Sequence, residues 1–199
     1  MTNLFASPKR LFPVLLAGLL LLPALASAKG RAVAAADPTI IAPGALSWAV
    51  LGAIDIPTAS GTNIGPRVIG EGLYGIGEIA PKLRLDVGPR ASFAYNGGDL
   101  SLWTLDAVGV GRLSYLLRDK LSLYGEAGLG FGYYHVSVSF FGQSVSDSGL
   151  MLDLLFAPGF VYALSPEVNL LGEVGFWINA KSGLGTHIAI PTVGVQWKL

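Results

Sequence analysis

Residues 102–138 constrain the fold most strongly, because their polarity alternates at every second position. A short Arg-Asp-Lys turn at 118–120 divides the stretch. On both sides of it, the residues of one parity, meaning every second position, are apolar or glycine, and the other parity carries Asp106, Arg112 and Glu126. A period of two belongs to a β-strand and not to a helix. The stretch therefore predicts one long antiparallel β-hairpin.

The environment of the two faces decides the class of protein. In a soluble sheet the apolar parity would need a covering core, but no segment predicts the helices that could supply one. In a transmembrane barrel that parity faces lipid and the charged parity faces the lumen. The aromatic residues near the ends of the apolar parity resemble an interfacial girdle; they are Trp103, Tyr115, Phe131 and Tyr133. We therefore predict an all-β, antiparallel up-and-down transmembrane β-barrel.

A soluble lipocalin-like barrel is an alternative, because its strands alternate in the same way with the charged parity outside and the apolar one around a ligand. Composition favours the membrane. Hydrophobic residues make up 52% of the chain and charged residues 13%, whereas soluble domains carry about 25% charged residues. The net charge of zero argues against a nucleic-acid partner. The lack of cysteine excludes disulfides and thiolate metal sites.

The N-terminal segment has the order of a secretory signal. Two basic residues, Lys9 and Arg10, precede an apolar run at 11–25, and the small residues 26–28 follow. This order predicts a signal peptide over residues 1–28, with a retained helical anchor as the alternative. Export to the outer membrane of a Gram-negative cell would follow.

Residues 29–43 show no steady period and are interpreted as a flexible lead-in to a barrel domain at 44–199. Alternation and turn residues predict about eight strands in this domain. They cover approximately 45–56, 67–78, 83–96, 102–117, 121–138, 149–164, 168–180 and 186–199.

The predicted connections alternate between long and short. Long ones follow strands one, three, five and seven, at 57–66, 96–99, 140–148 and 181–185. Outer-membrane barrels show this alternation, with brief periplasmic turns and longer outside loops. Three prolines, Pro89, Pro158 and Pro191, fall inside strands. Because proline cannot donate a ladder hydrogen bond, we expect a bulge or bend at each.

Residues 44–199 resemble the small eight-stranded outer-membrane barrels, the OmpA-like and OmpX-like group, in the pattern of their last eight residues. In this closing segment Thr192 is polar, Gly194 is the glycine, and Trp197 and Leu199 are hydrophobic. Leu199 stands where bacterial members usually end in an aromatic residue. The resemblance implies that the barrel-insertion machinery reads this segment, and that outer-membrane lipid and lipopolysaccharide surround the barrel.

The inward parity carries enough charge to form a network. The interior of an eight-stranded barrel is just wide enough for side chains to fill it, so we expect a plugged lumen in which arginines bridge acids on neighbouring strands. Inward Gly128, Gly130 and Gly132 should make room for large side chains. The predicted network is Arg84, Asp86, Arg90, Asp106, Arg112, Glu126, Asp153 and Glu173. A proton or ion path is the alternative interpretation.

A catalytic alternative comes from His135 and Ser137, which share the outward parity near the predicted outside rim, with Asp147 beyond the next loop. They faintly resemble the His-x-Ser arrangement of outer-membrane lipid A deacylases. The asparagine expected after the serine is replaced by Val138. We therefore predict a non-enzymatic protein.

The remaining motifs predict neither a metal site nor a cofactor. His187 has no second histidine or acid cluster at ligand spacing. Residues 70–75 match G-x-G-x-x-G without the helix that a nucleotide site needs. We expect a structural protein or a surface-interaction platform acting through its outside loops. A lipid-modifying enzyme, or a narrow channel or small-ligand carrier, remains an alternative.

Overall fold

The computed structural model describes residues 41–140, 143–181 and 183–199. Their eight strands form a closed barrel in which each strand pairs antiparallel with its neighbours in the chain. This confirms the predicted eight-stranded up-and-down fold. The strands are β1 Leu46–Pro57, β2 Gly65–Ala80, β3 Leu83–Asn96, β4 Leu100–Arg118, β5 Leu121–Phe140, β6 Gln143–Ala163, β7 Val168–Asn179 and β8 Thr186–Lys198. The predicted signal peptide and residues 29–40 lie outside the described residues.

Pairing of the first and last strands closes the ring. β1 and β8 are in register from Ser47↔Lys198 to Pro57↔His187. This pairing removes the free edges that an open sheet would leave. No helix in the described ranges is long and apolar enough to span a membrane.

The predicted loop at 140–148 is wrong, because most of it is strand. β5 continues to Phe140, β6 begins at Gln143, and the two pair up to Phe140↔Gln143. β6 meets β7 only from Asp153↔Asn179 onward. The β5–β6 hairpin therefore extends well past the strands beside it. The long connection predicted after strand five is therefore short, because strand pairing continues to Phe140↔Gln143, whereas the connection predicted at 96–99 after strand three is found at 97–99.

The three prolines behave differently. At Pro191 the register of β8 shifts against both neighbours, as predicted. Within this bulge the Thr192 hydroxyl donates to the Ala189 carbonyl at 3.0 Å. No register shift accompanies Pro89 or Pro158, where pairing with β2 and β7, respectively, is only interrupted. At these two prolines the missing N–H donor removes a few cross-strand pairs, but no extra residue is inserted and no bulge forms.

Apolar side chains face outward and charged ones inward. Phe131 is 68% exposed, whereas Arg112 and Glu126 on adjacent strands are essentially inaccessible. The outward set includes Leu105, Leu113, Leu123, Leu129, Leu152, Leu154, Phe156, Phe160 and Ile178. This arrangement contradicts the lipocalin-like alternative, which requires the opposite orientation.

The residues just before β1 enter the barrel. Ile41 is buried in a cluster with Leu73 and Trp177, both of which face inward. The backbone of Ile41 and Ala42 occupies the space where Gly75 would carry a side chain. Residues 41–43 are therefore packed into the short-turn end and are not part of a flexible lead-in. At the opposite end Leu102, Tyr134, Met151 and Leu184 form a buried apolar cluster.

Candidate functional site

Two ionic clusters occupy the lumen. The first, here called the Glu cluster, contains three glutamates, two arginines and a tyrosine supplied by five strands. Its members are Glu71, Arg90, Arg112, Tyr124, Glu126 and Glu173. Inward parity on each strand points these side chains at the barrel axis, where they are almost completely buried.

Two arginines clamp two glutamates in the Glu cluster. Arg90 Nη1 lies 3.1 Å from Glu71 Oε2 and 2.8 Å from Glu126 Oε1. Arg112 Nη2 contacts the other oxygen of each glutamate, at 2.6 Å and 2.7 Å. The result is a closed ring of charge-assisted hydrogen bonds. Such bonds offset the cost of burying ions, which is several kcal/mol for each.

The third glutamate of the cluster, Glu173, is reached from across the lumen. Arg90 on β3 bonds both of its oxygens, and the Tyr124 hydroxyl donates to Oε2 at 2.5 Å. The ring of Tyr124 also lies 4.2 Å from the Arg112 guanidinium. Every carboxylate oxygen of the Glu cluster therefore has a donor.

The second cluster, here called the Asp cluster, lies on the side of the projecting hairpin. It contains Asp55, Arg67, Ser92, Asp106, Asp153, Asn179 and His187. Arg67 is its only arginine among the described residues: Nε bonds Asp55 Oδ1 and Nη1 bonds Asp106 Oδ2, both at 2.8 Å. His187 Nδ1 lies 2.7 Å from the other oxygen of Asp55.

Asp153 is held differently from the other two aspartates of the Asp cluster. Its Oδ1 accepts a hydrogen bond from the Asn179 amide at 2.7 Å. Its carboxyl group also hydrogen-bonds the carboxyl group of Asp106, and it has no ion pair with an arginine among the described residues. The Asp cluster therefore contains a buried acid without a basic partner, which the Glu cluster lacks.

Trp177 connects the two clusters. Its fully buried ring lies 4.9 Å from the Arg67 guanidinium and 5.8 Å from that of Arg90. Both distances allow a cation–π attraction. One aromatic side chain thus contacts the arginine of the Asp cluster and one arginine of the Glu cluster.

Two predicted network residues lie apart from these clusters. Arg84, at the short-turn end, lies 3.8 Å from Glu78, whose side chain is half exposed. Its inclusion in the lumen network was wrong, because β3 begins there and the side chain is partly exposed. Asp86 is buried and pairs with Arg112 in the β3–β4 register, but no ion pair links it to the clusters in the described ranges.

Sequence reasoning missed Asp55, Arg67, Glu71 and His187, all of which take part in the network. Their inward parity was available as a signal. Residues 67 and 71 lie in the glycine-rich second strand, where alternation is weak. In the sequence His187 stands out only as a possible metal ligand.

The inward glycines of β5 make room for particular neighbours. A Cβ at Gly128 would meet Val110, and one at Gly132 would meet Asp106 and Asp153. The space at Gly132 is therefore occupied by carboxylates from the strands on either side. The three atoms nearest to each of these positions belong to residues other than arginine.

The candidate catalytic residues do not form a triad. The His135 ring stacks on Trp103 at 5.6 Å between centroids. Asp147, the acid that could orient this histidine, accepts a hydrogen bond from Tyr134 at 2.9 Å instead. Ser137 pairs with Ser146 in the β5–β6 register.

The residues of the closing segment alternate across β8. Thr192 is buried, and the inward side of Gly194 lies against the backbone of Val50 and Leu51. Trp197 is opposite Trp48 in the β1–β8 register, and Leu199 is exposed. The described residues contain no group of three or more histidine, cysteine or acidic side chains arranged to hold a metal.

No protein-family model and no curated protein matches the sequence. Solved structures do match the fold. Neisserial surface protein A aligns with a TM-score of 0.58 at 16% identity, over 77% of this chain and 97% of the other. Ail of Yersinia pestis aligns with a TM-score of 0.51 at 17% identity, over 79% and 99%.

The outer membrane enzyme PagL aligns with a TM-score of 0.52 at 16% identity, over 76% of this chain and 99% of the other. These neighbours include a protein described as an enzyme and others that are not so described. At such low identity the alignments speak for the fold alone. The chain has the fold of the small eight-stranded outer-membrane β-barrels.

Proposed function

We propose that this protein is an integral outer-membrane β-barrel with a closed lumen, whose projecting β5–β6 hairpin serves as a surface-interaction platform. The observation that carries the membrane assignment is the inverted polarity of the barrel. Large apolar side chains cover the outside, and ionic groups fill the inside.

The energetic argument uses the exposed side chains. Phe131, Leu129 and Phe156 are each more than half exposed. Burying a side chain of this size contributes about 1.5–3 kcal/mol, which the isolated barrel forgoes at many positions in water. Hydrocarbon around the barrel recovers this free energy, because lipid takes the place of a covering core.

A closed lumen is supported at three levels. The Glu and Asp clusters fill the middle, Ile41 packs into the short-turn end, and Leu184 belongs to the apolar cluster at the other end. An eight-stranded barrel leaves little interior volume beyond its side chains. We therefore favour a non-conducting barrel over the narrow-channel alternative.

The interaction role rests on the edge of β6. Its residues from Gln143 to Leu150 are mostly exposed and precede the first β7 pair, Asp153↔Asn179. Val145 and Leu150 are 74% and 76% exposed. Unpaired strand edges present backbone donors and acceptors to other polypeptides. The hairpin therefore offers a binding surface that a tight turn would not.

Cell fractionation tests the membrane assignment. The folded protein should sediment with outer membranes, resist carbonate extraction and migrate differently in electrophoresis with and without boiling. Recovery in the soluble periplasm would contradict the assignment. In planar bilayers the purified protein should give no stable unitary conductance, and large stable steps would contradict the closed lumen.

A hairpin deletion tests the interaction role. Cells producing the full barrel should adhere to an immobilised panel of extracellular-matrix proteins, and replacement of residues 139–147 by a two-residue turn should abolish adhesion. Equal adhesion of both cell types would contradict this role. The lipid-modifying alternative predicts fatty-acid release from lipopolysaccharide that disappears in Ser137→Ala. We expect no release from either protein.

A further inference from the structure

We propose that three basic side chains at the short-turn end of the barrel bind the headgroup of an anionic phospholipid. The inference rests on the proposed function, because it requires the barrel to lie in a membrane. The three residues, here called the basic turn cluster, lie in or beside the β2–β3 and β4–β5 turns. They are Lys82, Arg118 and Lys120, and all three are exposed.

Backbone hydrogen bonds hold the two turns in place. The Leu116 amide on β4 donates to the Lys82 carbonyl at 3.0 Å, so the β2–β3 turn lies against the end of β4. The Lys120 carbonyl accepts from the Ala163 amide at 2.9 Å, which fixes the β4–β5 turn beside β6. The Lys82 amide also donates to Glu78 Oε1 at 3.0 Å. Two neighbouring, anchored turns therefore present the three basic side chains together.

The charges of the basic turn cluster are not neutralised. No ion pair joins its three side chains to an acidic group among the described residues, and at this end only Arg84 and Glu78 lie within such reach. At the surface of this end, β2 to β5 and their turns carry four basic and two acidic side chains, an excess of two positive charges. They are Lys82, Arg84, Arg118 and Lys120 against Glu78 and Asp119.

The rest of the barrel surface has no such excess in the described ranges. At the same end Glu167 and Lys198 balance each other in charge. At the opposite end Asp99, Asp147 and Lys181 leave one negative charge. Positive charge is therefore concentrated on one side of the short-turn end, where it attracts an anionic partner.

Tyrosine residues place the basic turn cluster at the height of lipid headgroups. Tyr115 pairs with Leu83, the residue after Lys82. Tyr162 pairs with Leu121, which follows the β4–β5 turn. Both tyrosines point outward and are exposed. Because tyrosine is enriched where hydrocarbon meets headgroups, the turns just beyond these rings reach the phosphate layer.

The lipid-facing surface of the same strands has space for an acyl chain. Gly111 and Gly125 lie on the outward parity of β4 and β5, and a Cβ at either position would meet nothing within 4 Å. A phospholipid whose headgroup contacts the turns can therefore lay one chain against these two strands.

Headgroup charge decides the class of lipid. Lysine and arginine side chains donate charge-assisted hydrogen bonds to phosphate oxygens. A zwitterionic headgroup carries an ammonium group beside its phosphate, and the basic turn cluster repels that group. An anionic headgroup such as that of phosphatidylglycerol keeps a net negative charge, which the excess positive charge attracts.

The test is lipid retention by the purified full-length barrel in a neutral detergent. The protein is incubated with equal amounts of phosphatidylglycerol and phosphatidylcholine that have the same acyl chains, and the lipid retained after gel filtration is quantified by mass spectrometry. At low ionic strength we expect about a fivefold preference for phosphatidylglycerol. In about 0.5 M NaCl the preference should largely disappear, because salt screens exposed charges.

A double variant, Arg118→Gln with Lys120→Gln, should lose the preference. The matched control, Lys181→Gln with Lys198→Gln, removes the same number of charges outside the basic turn cluster and should keep it. Both double variants should show the heat-dependent electrophoretic mobility of the wild type, which verifies that they are folded.

The outcomes separate this proposal from the membrane assignment. Equal retention of the two lipids by the wild type would overturn the proposal alone and leave the basic turn cluster to an acidic soluble protein. An equal preference for phosphatidylglycerol in the two double variants would also overturn it. Failure of the folded wild type to retain either lipid would contradict the membrane assignment and this proposal together.

Discussion

The Glu cluster and the Asp cluster both bury charged side chains in the lumen, but they differ in how completely those charges are paired. In the Glu cluster two arginines serve three glutamates, and each carboxylate oxygen accepts at least one hydrogen bond. In the Asp cluster Arg67 pairs with Asp55 and Asp106, whereas Asp153 hydrogen-bonds only the uncharged Asn179 amide and the neighbouring acid Asp106 among the described residues. Both clusters are equally removed from solvent. Two groups of charged side chains can therefore be buried to the same degree and still differ in how fully their charges are paired.

The comparison also separates a tightly paired region from a more loosely paired one. A network in which every carboxylate oxygen is paired resists rearrangement, because any movement leaves a buried ion unpaired. In the Asp cluster Asp153 has no ion pair with an arginine among the described residues. We therefore expect the Glu cluster to respond more strongly to substitution than the Asp cluster.

The largest expected effect is that of Arg90→Met. This change leaves three glutamates with one arginine and removes contacts to Glu71, Glu126 and Glu173. Breaking a buried ion pair costs about 3–5 kcal/mol. The loss should appear in urea unfolding measured by electrophoretic mobility. Arg118→Met, at an exposed site, is the control, and equal stability of the two variants would contradict the plug.

The next effect tests the connection between the clusters. Trp177→Leu removes the ring that Arg67 and Arg90 both approach and leaves a smaller side chain. Lost packing and cation–π attraction should together cost about 2–3 kcal/mol. Combining this change with Arg90→Met should give less than the sum of the single effects. Strict additivity in urea unfolding would argue against coupling.

Gly132→Ala tests how tightly the side chains of the Asp cluster are packed. Its Cβ would collide with the carboxylates of Asp106 and Asp153 and with Met151. Overpacking of this kind costs about 1–3 kcal/mol. Gly125→Ala on the same strand is the control, because its Cβ would meet nothing within 4 Å. Urea midpoints of the two variants should differ clearly, and coincidence would show that the site tolerates the methyl group.

The smallest expected effect belongs to Tyr124→Phe. Glu173 Oε2 loses the tyrosine hydroxyl but keeps its bond from Arg90, so the oxygen stays paired. The cost should be about 1.5 kcal/mol, the lower end for a hydrogen bond to a charged group, because Glu173 Oε2 stays paired with Arg90. Tyr162→Phe, on the outward face, should change the urea midpoint less. A loss as large as that of Arg90→Met would show that the tyrosine hydroxyl contributes as much to the stability of the cluster as Arg90 does.

Much of the fold could be predicted from the sequence, because strand alternation is a local property. The parity of Asp106, Arg112 and Glu126 predicted inward side chains, and the structure buries all three. Loop signals were less reliable: residues 143–148 look like a polar loop but pair as a strand. The strand conformation of residues 143–148 depends on their pairing with β5, and the sequence of this segment alone does not encode that pairing.

The sequence by itself determined which side chains face the lumen, because the pleat of a strand places alternate residues on opposite faces. Only the tertiary structure decided which charges meet. Arg90 on β3 reaches Glu173 on β7 across the barrel, and Asp106 meets Asp153 above Gly132. These contacts depend on the stagger and radius of the closed sheet, which arise from all eight strands together.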